Sequence, residues 1–307
     1  MKKNEKVLVI GGSGFVGHAL CDLLRKNDIA TINFSNDTEQ ITGCENISGD
    51  VADKDQLESV FKKYSIRCVV NLASLLHSAS IKNPLLACKI GVGGSLNLLE
   101  LCKDHGVNRF IYGSSTALLR PCADACQGVD ENAPVHTASI YEEIKRFVEE
   151  MGQRTAKAHS LEFISARISL VIGPGRPSQT SAYRTEIFNK LLTGGEIHIP
   201  FAKHEVLPFN HYADVAEALL LLVNASALMH SVYNLPCESW RVTDLADLLC
   251  KMNQNIAVTF GDLQFASGAP YVNWGRMQVE LGASIVPLDQ RLLEYKTFLL
   301  QRRKDVN

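Results

Sequence analysis

Four glycines fall within seven residues, Gly11-Gly12-Ser13-Gly14-Phe15-Val16-Gly17, directly after the short apolar run Lys6–Ile10. From Phe15 to Lys26 the apolar side chains Phe15, Val16, Ala19, Leu20, Leu23 and Leu24 recur at helical spacing. A β-type run, a glycine turn and an amphipathic helix, in that order, predict a strand–turn–helix unit. Backbone can approach a pyrophosphate only where side chains are missing, and a helix N-terminus presents free N–H groups and the positive end of its dipole. The glycines therefore predict a dinucleotide site, with Gly11, Ser13, Gly14, Phe15, Val16 and Gly17 around the phosphates. A tight turn that binds nothing is the alternative.

The alternation continues. β-type segments at 30–34, 68–72, 110–112 and 162–166 are separated by helical patterns at 54–63, 84–105 and 138–159. Strands alternating with helices predict right-handed crossovers and an α/β, Rossmann-type doubly wound parallel sheet. After Gly173 the pattern becomes mixed, with helices near 185–192, 213–223, 243–252 and 288–300 and short strands at 197–200, 232–235 and 257–260. We expect a cofactor-binding unit over 1–172 and a smaller, mainly substrate-binding lobe over 173–307, intertwined and without a clean linker.

Composition narrows the partners. The chain has 31 basic and 33 acidic residues and a formal charge of -2. No single-sign field is available to attract nucleic acid or an anionic membrane, so the expected partner is a small molecule. The basic start is followed by an apolar run that glycines break at once, unlike a signal peptide, and the longest apolar stretch is expected near 216–223, too short to span a bilayer. Nine scattered cysteines suit reduced thiols in the cytoplasm. Cys122, Cys126 and His136 lack the spacing and fourth ligand of a metal centre, so no metal is expected.

The second strand should end near an acid if the adenosine ribose carries a free 2′-hydroxyl. Ser35 occupies that place, followed by Asn36 and Asp37, and 33–40 contains no Arg or Lys to hold a 2′-phosphate. This charge pattern favours NAD, with NADP left open. Asp50 and Val51, after the third strand, are placed to read the adenine, and Leu72, Ala73 and Ser74, after the fourth, to line the ribose and pyrophosphate.

Tyr141 and Lys145 stand four residues apart, one helical turn, on one face. A buried lysine beside a tyrosine stabilises phenolate and can hold a ribose. Ser115, next to Ser114 at the end of the fifth strand, would hydrogen-bond a substrate oxygen and hold it against the tyrosine. A solvated helix face is the alternative for a lone Tyr-x-x-x-Lys pair, but this pair opens the helix after the serine strand, at the edge where doubly wound folds bind ligands.

Together these residues resemble the extended short-chain dehydrogenase/reductase family, also described as NAD-dependent epimerase/dehydratases. The resemblance spans nearly the whole chain: the glycine turn, Asp50-Val51, Leu72-Ala73-Ser74, Gly94 to Glu100, Arg109 to Ser115, Tyr141 to Lys145 with Glu149, Arg167 to Pro174, Tyr212 to Ala218 and Val232 to Leu235. It adds Ile168 and Val171 to the cofactor residues and implies a homodimer through the helices at 84–105 and 138–159.

Departures bear on the substrate. Leu170 replaces an Asn of the family's sugar-nucleotide members, Leu207-Pro208 an Arg-Asp pair, and Ser267 to Pro270 a late arginine stretch. A pyrophosphate without its arginine is poorly held unless Arg176, Arg184 or Lys203 substitutes. Gly91 stands where the family often has an Asn in its proton network, and Leu119-Arg120 replaces a Tyr-Gly.

The segments expected to border the substrate carry His77, Thr116, Arg120, His136, Thr137, Arg176, Ser181 and His211, with Arg176 as the expected carboxylate anchor and His211 alternatively an anchor for the lobe. The expectation is an NAD(P)-dependent oxidoreductase moving hydride between nicotinamide and a secondary alcohol or ketone of a small polar substrate: a hydroxy acid, an amino alcohol or a sugar derivative. An NAD-dependent nucleotide-sugar epimerase or dehydratase is the alternative, and a non-enzymatic cofactor-binding regulator the more distant one.

Overall fold

The computed structural model describes residues 5–121, 128–174, 182–266 and 268–306, the side chains of 302–306 excepted. Seven strands, β1 (Lys6–Ile10), β2 (Thr31–Ser35), β3 (Glu45–Ser48), β4 (Ile66–Asn71), β5 (Arg109–Ser115), β6 (Glu162–Ile168) and β10 (Val232–Asn234), form one parallel sheet in the order β10-β6-β5-β4-β1-β2-β3. The order reverses at β1, which places a crevice beside its C-terminal end.

Side-chain alternation in β1 explains the two layers. Val7 and Val9 face α1 (Phe15–Lys26) and α8 (Tyr212–Asn224), packing with Leu20, Leu24, Val215, Leu219 and Leu222. Leu8 and Ile10 face the other side, where α2 (Lys54–Lys63), α5 (Gly94–Asp104) and α6 (Ile140–Ala158) supply Leu57, Val60, Leu98, Leu99 and Val148. A parallel sheet covered on both faces needs this near-continuous apolar strand sequence.

Between α3 (His77–Lys82) and α5, the chain runs through α4 (Pro84–Cys88) and a π-helical turn, Lys89–Gly93. The whole run Pro84–Asp104 has a mean hydropathy of 1.4 over its most apolar window and the length to cross a membrane. This corrects the expectation that the longest apolar stretch lies near 216–223. The run is apolar because its second half packs against the sheet, where Leu98, Leu99, Leu101 and Cys102 are buried. Gly91, within the π turn, is crossed so closely by α6 that a Cβ would lie 2.6 Å from Ile144 Cγ2, so an asparagine has no room there.

The remaining elements build a second layer. β7 (Leu170–Ile172), β9 (Val206–His211) and β11 (Glu238–Arg241) make a three-stranded sheet, and β8 (Gly195–Phe201) pairs with β12 (Ile256–Leu263). α7 (Ala182–Thr193), α9 (Val242–Met252) and α11 (Leu288–Val306) close a core around Phe188, Leu207, Phe209, Leu245 and Leu292. α10 (Gly275–Leu281) returns to β10 and α8. The short strands β7, β9 and β11 were not anticipated from the sequence.

Candidate active site

The C-terminal ends of β1, β4, β5 and β6 open into one cavity of about 520 Å³. The glycine turn forms one wall. Gly11 has φ 77°, and a Cβ there would lie 3.2 Å from the Ala73 amide. A Cβ at Gly17 would lie 2.2 Å from the Gly11 carbonyl, so α1 can start beneath the turn only with glycine at that position. α1 begins after Gly14, which offers no side-chain cap, and has no acid in its first turn. Its leading N–H groups are left for a ligand, which suits a pyrophosphate.

At the tip of β2, the Ser35 hydroxyl accepts from the Ser13 amide at 3.0 Å and donates to Asn33 Oδ1 at 2.8 Å, so it fastens the glycine turn from behind. Asn36 follows it, exposed, and Asp37 turns its carboxylate to the Glu39 amide. On the next strands, Asp50 accepts from the Ala52 amide and pairs with Lys89 at 3.3 Å, while Val51 is buried against Gly94. Leu72 N–H donates to the Ile10 carbonyl and Ala73 N–H to Asn71 Oδ1, shaping the turn that carries Ser74 into the cavity wall. An open glycine turn, an uncapped helix start and a strand tip without cations together fit NAD.

Deeper in the cavity Ser115, Tyr141 and Lys145 converge. Ser139 caps α6 by accepting from the Glu142 amide at 3.3 Å, which fixes where Tyr141 and Lys145 emerge. Lys145 is only 3% exposed; its Nζ donates to the Gly113 carbonyl at 2.7 Å and lies 5.5 Å from the centre of the Tyr141 ring. Burial pushes this lysine down to about 7, opposed by the Glu149 carboxylate. Burial also raises the Tyr141 phenol, while the Ser115 hydroxyl and the Arg184 charge pull it back. Ser115 Oγ accepts from the Ala117 amide at 3.1 Å. Ser114, Ile168 and Val171 complete the wall between this trio and the glycine turn.

Of the expected substrate-side residues, His77 lines the cavity with its ring centre 6.1 Å from that of Tyr141, and Thr116 donates to Ser169 Oγ at 3.0 Å. Arg120 is instead bound to Glu142 at 2.7 Å, and Thr137 donates to Glu143. His136 uses its backbone N–H to bond the Leu118 carbonyl. His211 caps α8, its Nδ1 accepting from the Ala213 amide, and burial lowers it to about 3. Arg176, Ser181, Cys122 and Cys126 lie outside the described residues; among those described, no metal-ligating cluster occurs. Arg184, named from the sequence as a candidate pyrophosphate arginine, lines the cavity; sequence reasoning passed over Ser78, Leu76, Thr185, Phe201 and Phe265 as lining residues.

Comparisons with known proteins agree with this geometry. Residues 7–235 match the model of a family described as the NAD dependent epimerase/dehydratase family. A putative UDP-glucose 4-epimerase of Methanocaldococcus jannaschii is 27% identical over 228 residues, 71% of this chain and 73% of that protein. A UDP-glucose 4-epimerase of Erwinia amylovora is 33% identical over 201 residues, 61% of this chain and 59% of that protein. In fold, the chain is similar to the L-threonine dehydrogenase of Cupriavidus necator in its holo form, with a TM-score of 0.87 at 21% identity over 95% of this chain and 99% of that one. A Thermotoga maritima UDP-glucose 4-epimerase with UDP-glucose gives 0.86 at 22% identity, over 98% and 100% of the two chains.

Proposed function

The chain belongs to the NAD-dependent epimerase/dehydratase family, an NAD-dependent enzyme of the extended short-chain type, and from that premise we propose that it oxidises a secondary alcohol, or reduces the corresponding ketone, on a small polar substrate. The observation that carries this reading is the meeting of Ser115, Tyr141 and Lys145 in the cavity that the glycine turn also lines.

NAD, when bound, supplies the nicotinamide carbon that accepts or returns hydride. Around it, Gly11, Ser13, Gly14, Phe15, Val16 and Gly17 hold the pyrophosphate, Ser35 and Asn36 border the adenosine ribose, and Asp50 and Val51 border the adenine. Leu72, Ala73, Ser74, Ser114, Ile168 and Val171 enclose the nicotinamide half, with Tyr141 and Lys145 at the ribose. The Ser115 hydroxyl orients the substrate oxygen. In oxidation the Tyr141 phenolate takes the hydroxyl proton as the carbon–hydrogen bond is broken, and a carbonyl forms; reduction runs the reverse. Lys145, when charged, favours the phenolate electrostatically. His77 and Thr116 border the substrate, as we propose for Arg176 and Ser181 beyond the described residues.

The nearest alternative, epimerisation or dehydration of a nucleotide sugar, uses the same oxidation transiently and is favoured by the relatives named as UDP-glucose 4-epimerases. NADH absorbance separates the two. Purified protein with NAD and a panel of hydroxy acids, amino alcohols and nucleotide sugars should accumulate NADH with a small substrate; isomerised nucleotide sugar without net NADH would overturn the dehydrogenase reading.

The cofactor unit is proposed as 1–172 and the substrate lobe as 173–307. A homodimer is proposed through the helices at 84–105 and 138–159, where Leu85 is 84%, Phe147 40% and Leu86 39% exposed; Leu85→Asp with Phe147→Asp should halve the mass seen by light scattering. The seven cysteines described are free thiols, which suits the reducing cytoplasm we propose as its compartment.

A further inference from the structure

One cation in the cavity wall is left unused by this chemistry. Arg184, in the first turn of α7, lines the substrate side together with His77, Ser78, Thr116, Ser169 and Thr185. Among the described residues its one hydrogen bond runs from Nη1 to the Val171 carbonyl, at 3.2 Å, and no carboxylate pairs with it. The segment 175–181 contains no Asp or Glu that could do so.

Other guanidiniums shielded from water are matched with acids: Arg167 with Glu149, Arg120 with Glu142, Arg109 with Glu162, Arg276 with Glu131, and Arg291 with Asp214. Arg67, which has no acid, bonds the Val223 carbonyl at the end of α8, away from the cavity. Among the described residues, Arg184 alone combines a charge that burial disfavours, the lack of an acid partner and a position in the cavity wall. Burial lowers its affinity for its proton, and the Tyr183 and Tyr141 phenols act in the opposite direction. A desolvated cation without a partner is unfavourable in the free protein, and an arriving anion relieves that.

We propose that Arg184 is the anion subsite of the active centre and that the substrate is a hydroxy acid, its carboxylate held by the Arg184 guanidinium. This rests on the dehydrogenase reading above and specifies its substrate class. Arg184 and Tyr141 line the same cavity, and the guanidinium charge bears on the phenol. Among the described residues lining the cavity, the other cation, Lys145, is held beneath Tyr141 by Gly113, so one guanidinium suits a single carboxylate better than the two charged phosphates of a nucleoside diphosphate.

The test uses matched pairs of short 2- and 3-hydroxy acids and their primary amides, added to the NAD-saturated protein. Binding is read by calorimetry and turnover by NADH. Wild type should favour the acid of at least one pair by about tenfold to a hundredfold, as expected for a charge-assisted contact. Arg184→Gln should erase that preference by weakening the acid alone, with amide binding and NAD affinity unchanged and the melting temperature not lowered, and Arg184→Lys should recover part of it. Acid and amide bound equally by wild type, no member of any pair bound, or Arg184→Gln weakening both members alike would each overturn the proposal. NADH formed from acid and amide equally would reject the Arg184 subsite while keeping the dehydrogenase; acid-selective binding lost in Arg184→Gln, with no NADH formed, would reject the dehydrogenase while keeping the subsite.

Discussion

Lys145 hangs its ammonium from the carbonyl of Gly113, 2.7 Å away, inside the end of β5. That bond replaces only part of a water shell, which is why burial brings the lysine down to about 7 from its usual 10.5. Between those two values the unfolded chain binds more protons than the folded one, so stability rises with pH across the window and the full penalty applies below it. Lys145→Met should therefore raise the melting temperature of the cofactor-free protein near pH 6 relative to wild type, and the gain should fade towards pH 10. A difference between the two proteins that stays flat with pH would contradict the desolvated lysine.

Tyr141 is the group assigned to move the proton. Its phenol is raised by burial, so in alcohol oxidation kcat/KM should climb with pH as phenolate forms. Tyr141→Phe should lower kcat by about 10²- to 10⁴-fold, the usual contribution of general acid–base catalysis. NAD binding, measured by fluorescence titration, should weaken far less than kcat falls, because the other contacts to the cofactor remain.

Gly17 lets α1 pass under the glycine turn. Gly17→Ala places a Cβ 2.2 Å from the Gly11 carbonyl and 2.7 Å from Gly12 Cα, both backbone atoms that cannot swing aside. The turn must open, at about 1–3 kcal/mol for overpacking. Both the melting temperature and the affinity for NAD should fall, as calorimetry would record.

The strand tip predicts the choice of cofactor. Asn36 is exposed one residue beyond β2, and no Arg or Lys lies between Ser35 and Gln40. Wild type should bind NAD more tightly than NADP. Asn36→Arg should move the ratio of the two dissociation constants towards NADP by about tenfold, one charge-assisted contact with the 2′-phosphate; an unchanged ratio would place the ribose elsewhere.

Glu149 and Arg167 form a buried bidentate pair, with bonds of 3.0 and 2.7 Å. Glu149→Gln leaves the guanidinium uncompensated, at about 3–5 kcal/mol. Because Glu149 also opposes the lowering of Lys145, the same substitution should shift the pH window of the lysine downward. Denaturant unfolding at several pH values measures both effects.

What the sequence makes legible here is what short-range spacing encodes. The glycine turn, the Tyr141 and Lys145 pair and the helices around them depend on neighbours a few residues away, and α1 and α2 lie where periodicity puts them. The three-stranded sheet escaped because β7 and β11 have three and four residues, too few for alternation to register. Arg120 looked like a pocket residue because its segment borders the site, yet the buried Glu142 claims it. Arg184 was weighed only as a stand-in for a pyrophosphate arginine. Its isolation from acids among the described residues is a property of packing, which brings α7 against Val171, and no local pattern announces it.

β10 enters the large sheet only after the chain has built most of the smaller one, pairing Val232, Tyr233 and Asn234 with Ser165, Ala166 and Arg167, while α8 comes back to cover α1. The two layers are therefore stitched rather than strung together. A fragment stopping at residue 172 would carry β6 as a bare edge and α1 with its apolar flank uncovered, an invitation to pair with other chains. A recombination that exchanged one layer for a foreign one would therefore have to rebuild the β6 edge and the flank of α1 as well.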